Sequence, residues 1–258
     1  MLIDSHCHLD AGEFAADRDA VHAAARAGGV ERILAPAVAV ANFPAVRDCV
    51  ARYPGCVAAY GIHPLSVNTA QESDLAVLRQ WLVSERPVAV GEIGLDHFVA
   101  AADRQRQEFF FVEQLKLARE FGLPVVLHAR RAIDPVLKQL RRIFGHGGVP
   151  GGIAHAFNGS RQQADEFLKL GFALGFGGAM TFSGSTRIRH LAATLPDSAI
   201  ALETDAPDIA PAWLDGGRNQ PAELPRIAAV LADLRGISVA AVAAMTTENI
   251  RRVIPGMG

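Results

Sequence analysis

The stretch AIALETD at residues 199–205 decides the fold. Its first four residues are apolar, as in a strand buried on both faces, and its last residue is an aspartate. A second short run, LIDSH at residues 2–6, ends in His6, and His8 follows two residues later. Because side chains alternate between the faces of a strand, these two histidines point to one side. The first and last predicted strands therefore both end in side chains that can bind a metal ion.

Short apolar runs alternate with longer helical patterns along the chain. The runs predict eight strands, at residues 2–6, 31–37, 56–63, 87–94, 123–129, 151–157, 172–178 and 199–205. The helical patterns lie at residues 16–28, 42–53, 74–84, 103–121, 134–144, 160–170, 185–195, 223–235 and 239–252. Runs that are apolar on both faces indicate parallel strands covered by helices. At 258 residues, the candidates are a closed (β/α)8 barrel and an open, doubly wound sheet.

Polar residues at the predicted strand ends distinguish the two folds. Metal-binding types of side chain recur there, namely His6, His8, His63, Glu92, His128, His155 and Asp205. In a closed barrel the carboxyl ends of all strands meet at one mouth, where barrel enzymes have their active sites. An open sheet would hold its first and last strands far apart. We therefore predict an α/β fold, a TIM-like (β/α)8 barrel that forms a single domain over residues 1–258.

The candidate ligands suit two divalent ions. Four histidines and two carboxylates are too many for one tetrahedral ion. We assign one ion to His6, His8 and Asp205, and the other to His128 and His155. Glu92 bridges the two ions, since each oxygen of a carboxylate can bind one ion. The mixture of imidazole and carboxylate donors fits Mg, Mn or Zn.

Three further residues are candidates for substrate binding. His63, in the sequence GIHP, is predicted to contact the substrate, and a structural role is the alternative. Arg130 and Arg131 directly follow the predicted strand that carries His128. Arginine binds phosphate in a bidentate manner, so this pair could hold a phosphate group. Surface salt bridges are the alternative for both arginines.

The remaining histidines have weaker signals. His22 and His190 lie in helical patterns and His146 lies in GHGG, so all three are predicted at the surface. Asp96 and His97, in GLDH just after Glu92, allow either a structural or a functional reading.

Composition limits the partners of the chain. It has 25 Lys and Arg against 27 Asp and Glu, for a net charge of −2. A protein that coats nucleic acid with its whole surface is normally basic, so any nucleic-acid contact must be local. Three cysteines without a CxxC pair predict buried, reduced thiols in a cytoplasmic protein. No apolar run reaches the ~18 residues of a membrane span, and no obligate protein partner is indicated.

Two common catalytic motifs are missing from the sequence. There is no GxxxxGK[ST] loop and no GxSxG elbow. Their absence argues against a P-loop NTPase and against an α/β-hydrolase.

Taken together, the motifs resemble the TatD family of metal-dependent hydrolases, and within it the YjjV-type branch. The motifs are DSHCHLD, GIHP, VGEIGLD, LPVVLHARR, HAFNGS, LETDAPD and RNQP, and the resemblance covers residues 4 to about 252. It implies a TIM-like (β/α)8 barrel of the metallo-dependent hydrolase type and a two-metal centre with ligand roles for the six residues assigned above. It also implies a deoxyribonuclease that degrades DNA from 3′ ends, commonly with Mg²⁺. The chain departs from the family around the substrate, with HARR in place of HSRD and His97 where an aromatic residue often follows GLD.

The expected reaction is hydrolysis of a phosphoester by a water activated between two metal ions. Asp205 would take the proton from this water, Glu92 would join the ions, and nucleic-acid 3′ ends or a small phosphoester would be the substrate. The most specific expectation is a TatD-type 3′–5′ exonuclease acting on DNA. One alternative is a metal-dependent hydrolase of a carboxylic ester, lactone or amide on the same barrel. Another is a non-catalytic metal-binding protein.

Overall fold

The computed structural model describes residues 1–145 and 151–258, so the prediction for His146 lies outside the described residues. Eight parallel strands form one sheet in chain order. They are β1 Leu2–Asp4, β2 Val30–Pro36, β3 Cys56–Tyr60, β4 Ala89–Asp96, β5 Val125–Arg130, β6 Gly152–Ala154, β7 Phe172–Phe176 and β8 Ile200–Leu202. The predicted (β/α)8 barrel is confirmed.

The described part of the chain also contains nine α-helices. They are α1 Arg18–Ala27, α2 Phe43–Arg52, α3 Asp74–Glu85, α4 Arg104–Phe121, α5 Ile133–Phe144, α6 Arg161–Lys169, α7 Thr186–Thr194, α8 Leu224–Arg235 and α9 Val239–Val253. The longest, α4, begins after Asp103, whose side chain accepts a hydrogen bond from the Arg106 backbone N–H at 3.0 Å. It ends at Gly122, which has a left-handed φ of 63°.

Several strands are shorter than predicted. β1, β3, β6 and β8 all end before the histidine or aspartate that the sequence placed at their carboxyl ends. The backbone leaves extended geometry at the barrel mouth, where Ala156 and Asp205 have positive φ angles of 45° and 56°. Extended geometry cannot continue through such residues, so the ladder of hydrogen bonds stops there. Of the predicted ligands, only Glu92 and His128 lie within strands.

The barrel interior is filled by one apolar residue from each strand. These residues are Ile3, Leu34, Ala59, Ala89, Val126, Ile153, Ala173 and Ala201, and they form one buried cluster with Ile250, Val253, Ile254 and Met257. The last four belong to the end of α9 and the segment after it. They pack against the strand residues, so the interior of the barrel is a packed core and not a pore. A larger apolar cluster lies between the strands and the surrounding helices.

Closure of the barrel depends on a buried carboxylate in β1. Asp4 Oδ1 accepts a hydrogen bond from the Thr204 backbone N–H at 2.9 Å, and Asp4 Oδ2 accepts one from Thr204 Oγ1 at 2.5 Å. Burial raises the pKa of Asp4 to about 7. Backbone hydrogen bonds lie on both sides of this contact, from Ser5 N to Leu202 O at 3.0 Å and from Asp205 N to His6 O at 2.8 Å. We call these contacts, together with those between Asp4 and Thr204, the seam. The seam therefore brings the segment after β1 beside the segment after β8.

Cys7, Cys49 and Cys56 are free and buried, as predicted. Within residues 1–145 and 151–258, no single helix is both long and apolar enough to cross a membrane. The stretches Pro221–Arg235 and Val239–Val253 pass that test only as a pair, by length and composition, and are bent by 104° where they join.

We expect Thr204→Val to destabilise the protein, because it leaves Asp4 Oδ2 buried without its hydroxyl donor. A lost hydrogen bond to a buried polar group costs about 1–3 kcal/mol of unfolding free energy, which urea denaturation would measure. Thr194→Val is the matched control, since Thr194 is exposed and its hydroxyl donates only to His190 O in its own helix. The control should shift the unfolding free energy by less than about 0.5 kcal/mol. Equal effects of the two substitutions would contradict the role of the seam.

Candidate metal centre

A buried carboxylate lies at the centre of the barrel mouth. Glu92, on β4, is only 2% exposed. Its Oε2 is 3.1 Å from His6 Nε2, and its Oε1 is 2.9 Å from both His128 Nδ1 and His155 Nε2. The two oxygens of one carboxylate thus face two different sets of histidine nitrogens.

The first set contains His6, His8 and Asp205. The Nε2 atoms of His6 and His8 are 3.2 Å apart, and Asp205 Oδ1 lies 3.4 Å from the first and 3.8 Å from the second. Burial, with a contribution from nearby His155, lowers the pKa of His6 to about 3, so its ring is neutral. His8 Nδ1 is 3.2 Å from Pro36 O, which can only accept, so in the neutral ring its Nε2 bears a lone pair. Two imidazole nitrogens and a carboxylate oxygen therefore converge on one point, an arrangement that suits a cation.

The second set forms around Glu92 Oε1. His63 Nε2 is 3.4 Å from this oxygen, and the His128 and His155 nitrogens that face it are 3.3 Å apart. His63, which the sequence assigned to substrate contact, therefore lies among the donor atoms of the second set. His155 is also grouped with His6 and Glu92, so it stands between the two sets.

The charges in the centre are strongly coupled. Burial alone would lower the pKa of His155, but the Glu92 carboxylate raises it to about 10. Burial also opposes ionisation of Glu92, yet the facing imidazoles, with His155 first among them, hold its pKa well below the usual range. The carboxylate therefore stays ionised in the interior and requires positive charge beside it.

Comparisons with known proteins agree with this geometry. Residues 3–255 match the family model described as TatD related DNase. The chain belongs to the TatD family. It is 40% identical over 237 residues to the uncharacterized metal-dependent hydrolase YjjV of Escherichia coli (strain K12), covering 91% of this chain and 90% of that protein.

Two further relatives extend the comparison. The 3′-5′ ssDNA/RNA exonuclease TatD of Klebsiella pneumoniae (strain 342) is 32% identical over 255 residues, covering 97% of this chain and 96% of that protein. The crystal structure of YjjV, the TatD homologue from Escherichia coli K12, superposes with a TM-score of 0.93 at 36% identity and covers 98% of each chain. Both agree with the family assignment made from the motifs.

Asp96 orients one of the histidines of this TatD-family site. Its Oδ2 is 3.1 Å from His128 Nε2, so the other ring nitrogen of His128 faces Glu92. Burial opposes ionisation, but the hydrogen bond to His128 lowers the pKa of Asp96 to about 2. The sequence left Asp96 undecided. Its spacing of four residues from Glu92 in one strand places the two on the same face, and this even spacing is a signal that could have identified it.

Glu203 is a carboxylate that the sequence analysis missed. It is 1% exposed, its Oε1 accepts from the Ala156 backbone N–H at 2.5 Å, and the same oxygen is 3.9 Å from His155 Nδ1. Its Oε2 and His155 Nδ1 have no hydrogen-bond partner among the described residues. Burial raises the pKa of Glu203 to about 8. The even spacing from Asp205 was the available signal.

Two of the three predicted substrate residues, the arginines, lie at the rim of the mouth. Arg130 and Arg131 are exposed, and both guanidinium groups lie over the ring of Phe98, at 3.7 and 4.7 Å from its centroid. Neither side chain forms a salt bridge with a described residue. Of the histidines predicted at the surface, His190 is exposed and His22 is half-buried.

Gly175 on β7 leaves room for Glu203, so we expect Gly175→Ala to disturb the site. A Cβ at this position would lie 2.1 Å from Glu203 Oε2. Forcing apart such a contact costs about 1–3 kcal/mol of unfolding free energy, which urea denaturation would measure. Gly184→Ala is the control, because a Cβ there meets nothing within 4 Å. If Gly175→Ala is as stable as the wild type, the Glu203 side chain can move away from the added methyl group and the prediction is wrong.

Proposed function

We propose that the protein is a divalent-metal-dependent phosphoesterase that hydrolyses nucleic acid from its 3′ ends. The observation that carries the proposal is the position of Glu92, whose two oxygens each face a separate set of histidine nitrogens. A carboxylate placed in this way could bind one divalent ion with each oxygen, which suits a two-metal site. Relatives named metal-dependent hydrolase and 3′-5′ ssDNA/RNA exonuclease support the proposal.

The donor set fits two ions. His6, His8 and Asp205 would hold one ion, the histidines around Glu92 Oε1 (His63, His128 and His155) would hold the other, and Glu92 would contribute to both sites. The fit is supported by the close approach of these donors, since the Nε2 atoms of His6 and His8 are 3.2 Å apart and Asp205 Oδ1 lies within 3.8 Å of both. When bound, two divalent ions would polarise a phosphoryl oxygen and lower the pKa of a water molecule. Imidazole and carboxylate donors are suited to Mg, Mn or Zn.

Asp205 is the proposed general base. Its Oδ1 faces His6 and His8, which leaves Oδ2 to accept the proton of the attacking water. Burial raises the pKa of Asp205, with His155 opposing, so it is a stronger base than an exposed aspartate. Its position is fixed by a left-handed φ of 56° and by the hydrogen bond from its backbone N–H to His6 O.

The arginines at the rim favour an anionic substrate over a neutral one. Arg130 lies two residues after His128 on the same strand, so both side chains start from the same face. A guanidinium at this place can hold a phosphate oxygen close to the metal centre. Carboxylic esters and lactones offer no group of matching charge, although the same two ions could polarise their carbonyl groups.

The proposal is tested by a substrate screen on protein loaded with Mg²⁺, Mn²⁺ or Zn²⁺. We expect stepwise shortening of 5′-labelled single-stranded DNA and RNA that end in a 3′-hydroxyl, resolved on a denaturing gel. Excess EDTA should abolish the shortening, and added divalent ion should restore it. Turnover of esters or lactones alone would overturn the nuclease proposal. If no substrate is turned over at full metal occupancy, the alternative of a non-catalytic metal-binding protein is favoured.

We expect Asp205→Asn to abolish most of the activity while the protein stays folded. Loss of a general base lowers kcat by about 10²- to 10⁴-fold. Elemental analysis must show that the variant still holds metal, so that the loss is assigned to the base and not to the ligand role. Asp208→Asn is the control, because Asp208 is exposed on the same loop. Near-normal activity of metal-loaded Asp205→Asn would exclude Asp205 as the base.

A further inference from the structure

Two arginines and a phenylalanine form an exposed stack beside the metal centre. Phe98, in the loop after β4, is 45% exposed. The guanidinium carbon of Arg130 lies 3.7 Å from the centroid of its ring, and that of Arg131 lies 4.7 Å away. The attraction between a cation and an aromatic face holds both arginines at the rim. We call this group the Phe98 stack.

The two guanidinium groups have no other partner in the part of the chain that the structure describes. Many arginines of the protein do have one, as with Arg218 on Asp17 and Arg106 on the carbonyl oxygen of Val67. Neighbouring positive charges without an anion repel each other, and a bound anion relieves this repulsion. The Phe98 stack is therefore suited to an anionic ligand.

The stack is attached directly to the residues of the metal centre. Asp96 Oδ1 accepts from the Phe98 backbone N–H at 2.8 Å, while the other oxygen of Asp96 contacts His128 Nε2 at 3.1 Å. The backbone N–H of His97 donates to Arg130 O at 2.8 Å, which joins the loop to β5. A ligand on the stack would therefore lie next to a phosphoester bond of a substrate placed at the metal centre.

The rim is apolar as well as positively charged. Further exposed apolar side chains lie in the loops after β3, β4, β7 and β8, namely Leu65, Val99, Phe182 and Ile209. A free phosphate or other small anion makes no use of such groups. A nucleotide does, since it joins a charged phosphate to a flat base that stacks on aromatic rings.

We propose that the Phe98 stack is a nucleotide subsite of the hydrolase described above, and this inference rests on that proposed function. One guanidinium leaves the ring to bind a phosphate of the strand, and the base of the same nucleotide stacks on the exposed ring of Phe98. The nucleotide that occupies the subsite neighbours the bond to be hydrolysed. Good substrates are therefore at least two nucleotides long, and small phosphoesters use only the metal centre.

The test compares two substrates of metal-loaded protein, a 3′-hydroxyl single-stranded oligonucleotide and methyl p-nitrophenyl phosphate. We expect Phe98→Leu to raise KM for the oligonucleotide roughly tenfold or more, because a stacked base is lost. The value of kcat, and both constants for the small ester, should stay within about twofold of the wild type. Phe98→Tyr keeps an aromatic ring and should restore the low KM. Phe109→Leu, which alters an exposed phenylalanine on α4, is the control.

Binding supplies a readout that does not depend on turnover. In metal-loaded protein carrying Asp205→Asn, fluorescence anisotropy of a fluorescein-labelled oligonucleotide should show a weaker Kd when Phe98→Leu is added. One of the two substitutions Arg130→Gln and Arg131→Gln, the one that removes the phosphate contact, should lower the slope of log affinity against log salt by about 0.7. An unchanged slope in both variants would contradict the subsite. Arg142→Gln, on the outer helix α5, is the control and should leave the slope unchanged.

Failure of the subsite is distinguishable from failure of the proposed function. If the wild-type protein hydrolyses only the small ester or no phosphoester, the proposed function is wrong. If it shortens the oligonucleotide but Phe98→Leu binds and cleaves it like the wild type, only the subsite is overturned. An equal loss on both substrates would also overturn it, since that result indicates a structural effect.

Discussion

The hydrogen bonds between Asp4 and Thr204 are the constraint on which the rest of the molecule depends. They join the first strand to the last, and a carboxylate placed in this dry position is tolerated because a backbone amide and a hydroxyl of Thr204 both donate to it. His6 follows Asp4 by two residues, just beyond the end of β1, and Asp205 follows Thr204 by one residue. The same contact that closes the barrel therefore sets the distance between histidine and aspartate at its mouth.

Backbone strain and buried charge lie together around this seam, at the mouth of the barrel. Arg131, Ala156 and Asp205 have left-handed backbone angles, and they follow β5, β6 and β8 directly or closely. Such conformations cost of order 1–3 kcal/mol each and persist only where the surrounding structure imposes them. The packed apolar interior below the mouth, closed by the end of α9, supplies that support. Rigid strands thus hold donor atoms in positions that a flexible chain would not keep.

The sequence predicted the fold well because its signals are local and repeated. Every apolar run became a strand, and polar residues at the run ends identified the mouth. Several strands were predicted to run too far, since nothing in the sequence reveals a left-handed residue such as Ala156. The residues beside the main ligands were harder to predict from the sequence. Glu203, for example, lies near His155 only in the folded protein, and the two residues are far apart along the chain. The Phe98 stack depends on the pairing of β4 with β5, in which Asp96 aligns with Arg130, and no spacing within the chain reveals that register.

The net charge of the chain suits a protein that would contact a nucleic acid at a few local positions and not along a whole strand. With a net charge of −2, the protein as a whole does not attract a polyanion. Non-specific affinity for nucleic acid comes mainly from neutralised phosphates, so a surface without excess cations gains little from contact along a strand. Under the proposed function, nucleic acid would be bound where positive charge is local, at Arg130, Arg131 and the metal centre. The protein would then contact a few nucleotides at the mouth of the barrel and make little contact with the rest of the strand, which agrees with the proposed removal of terminal nucleotides.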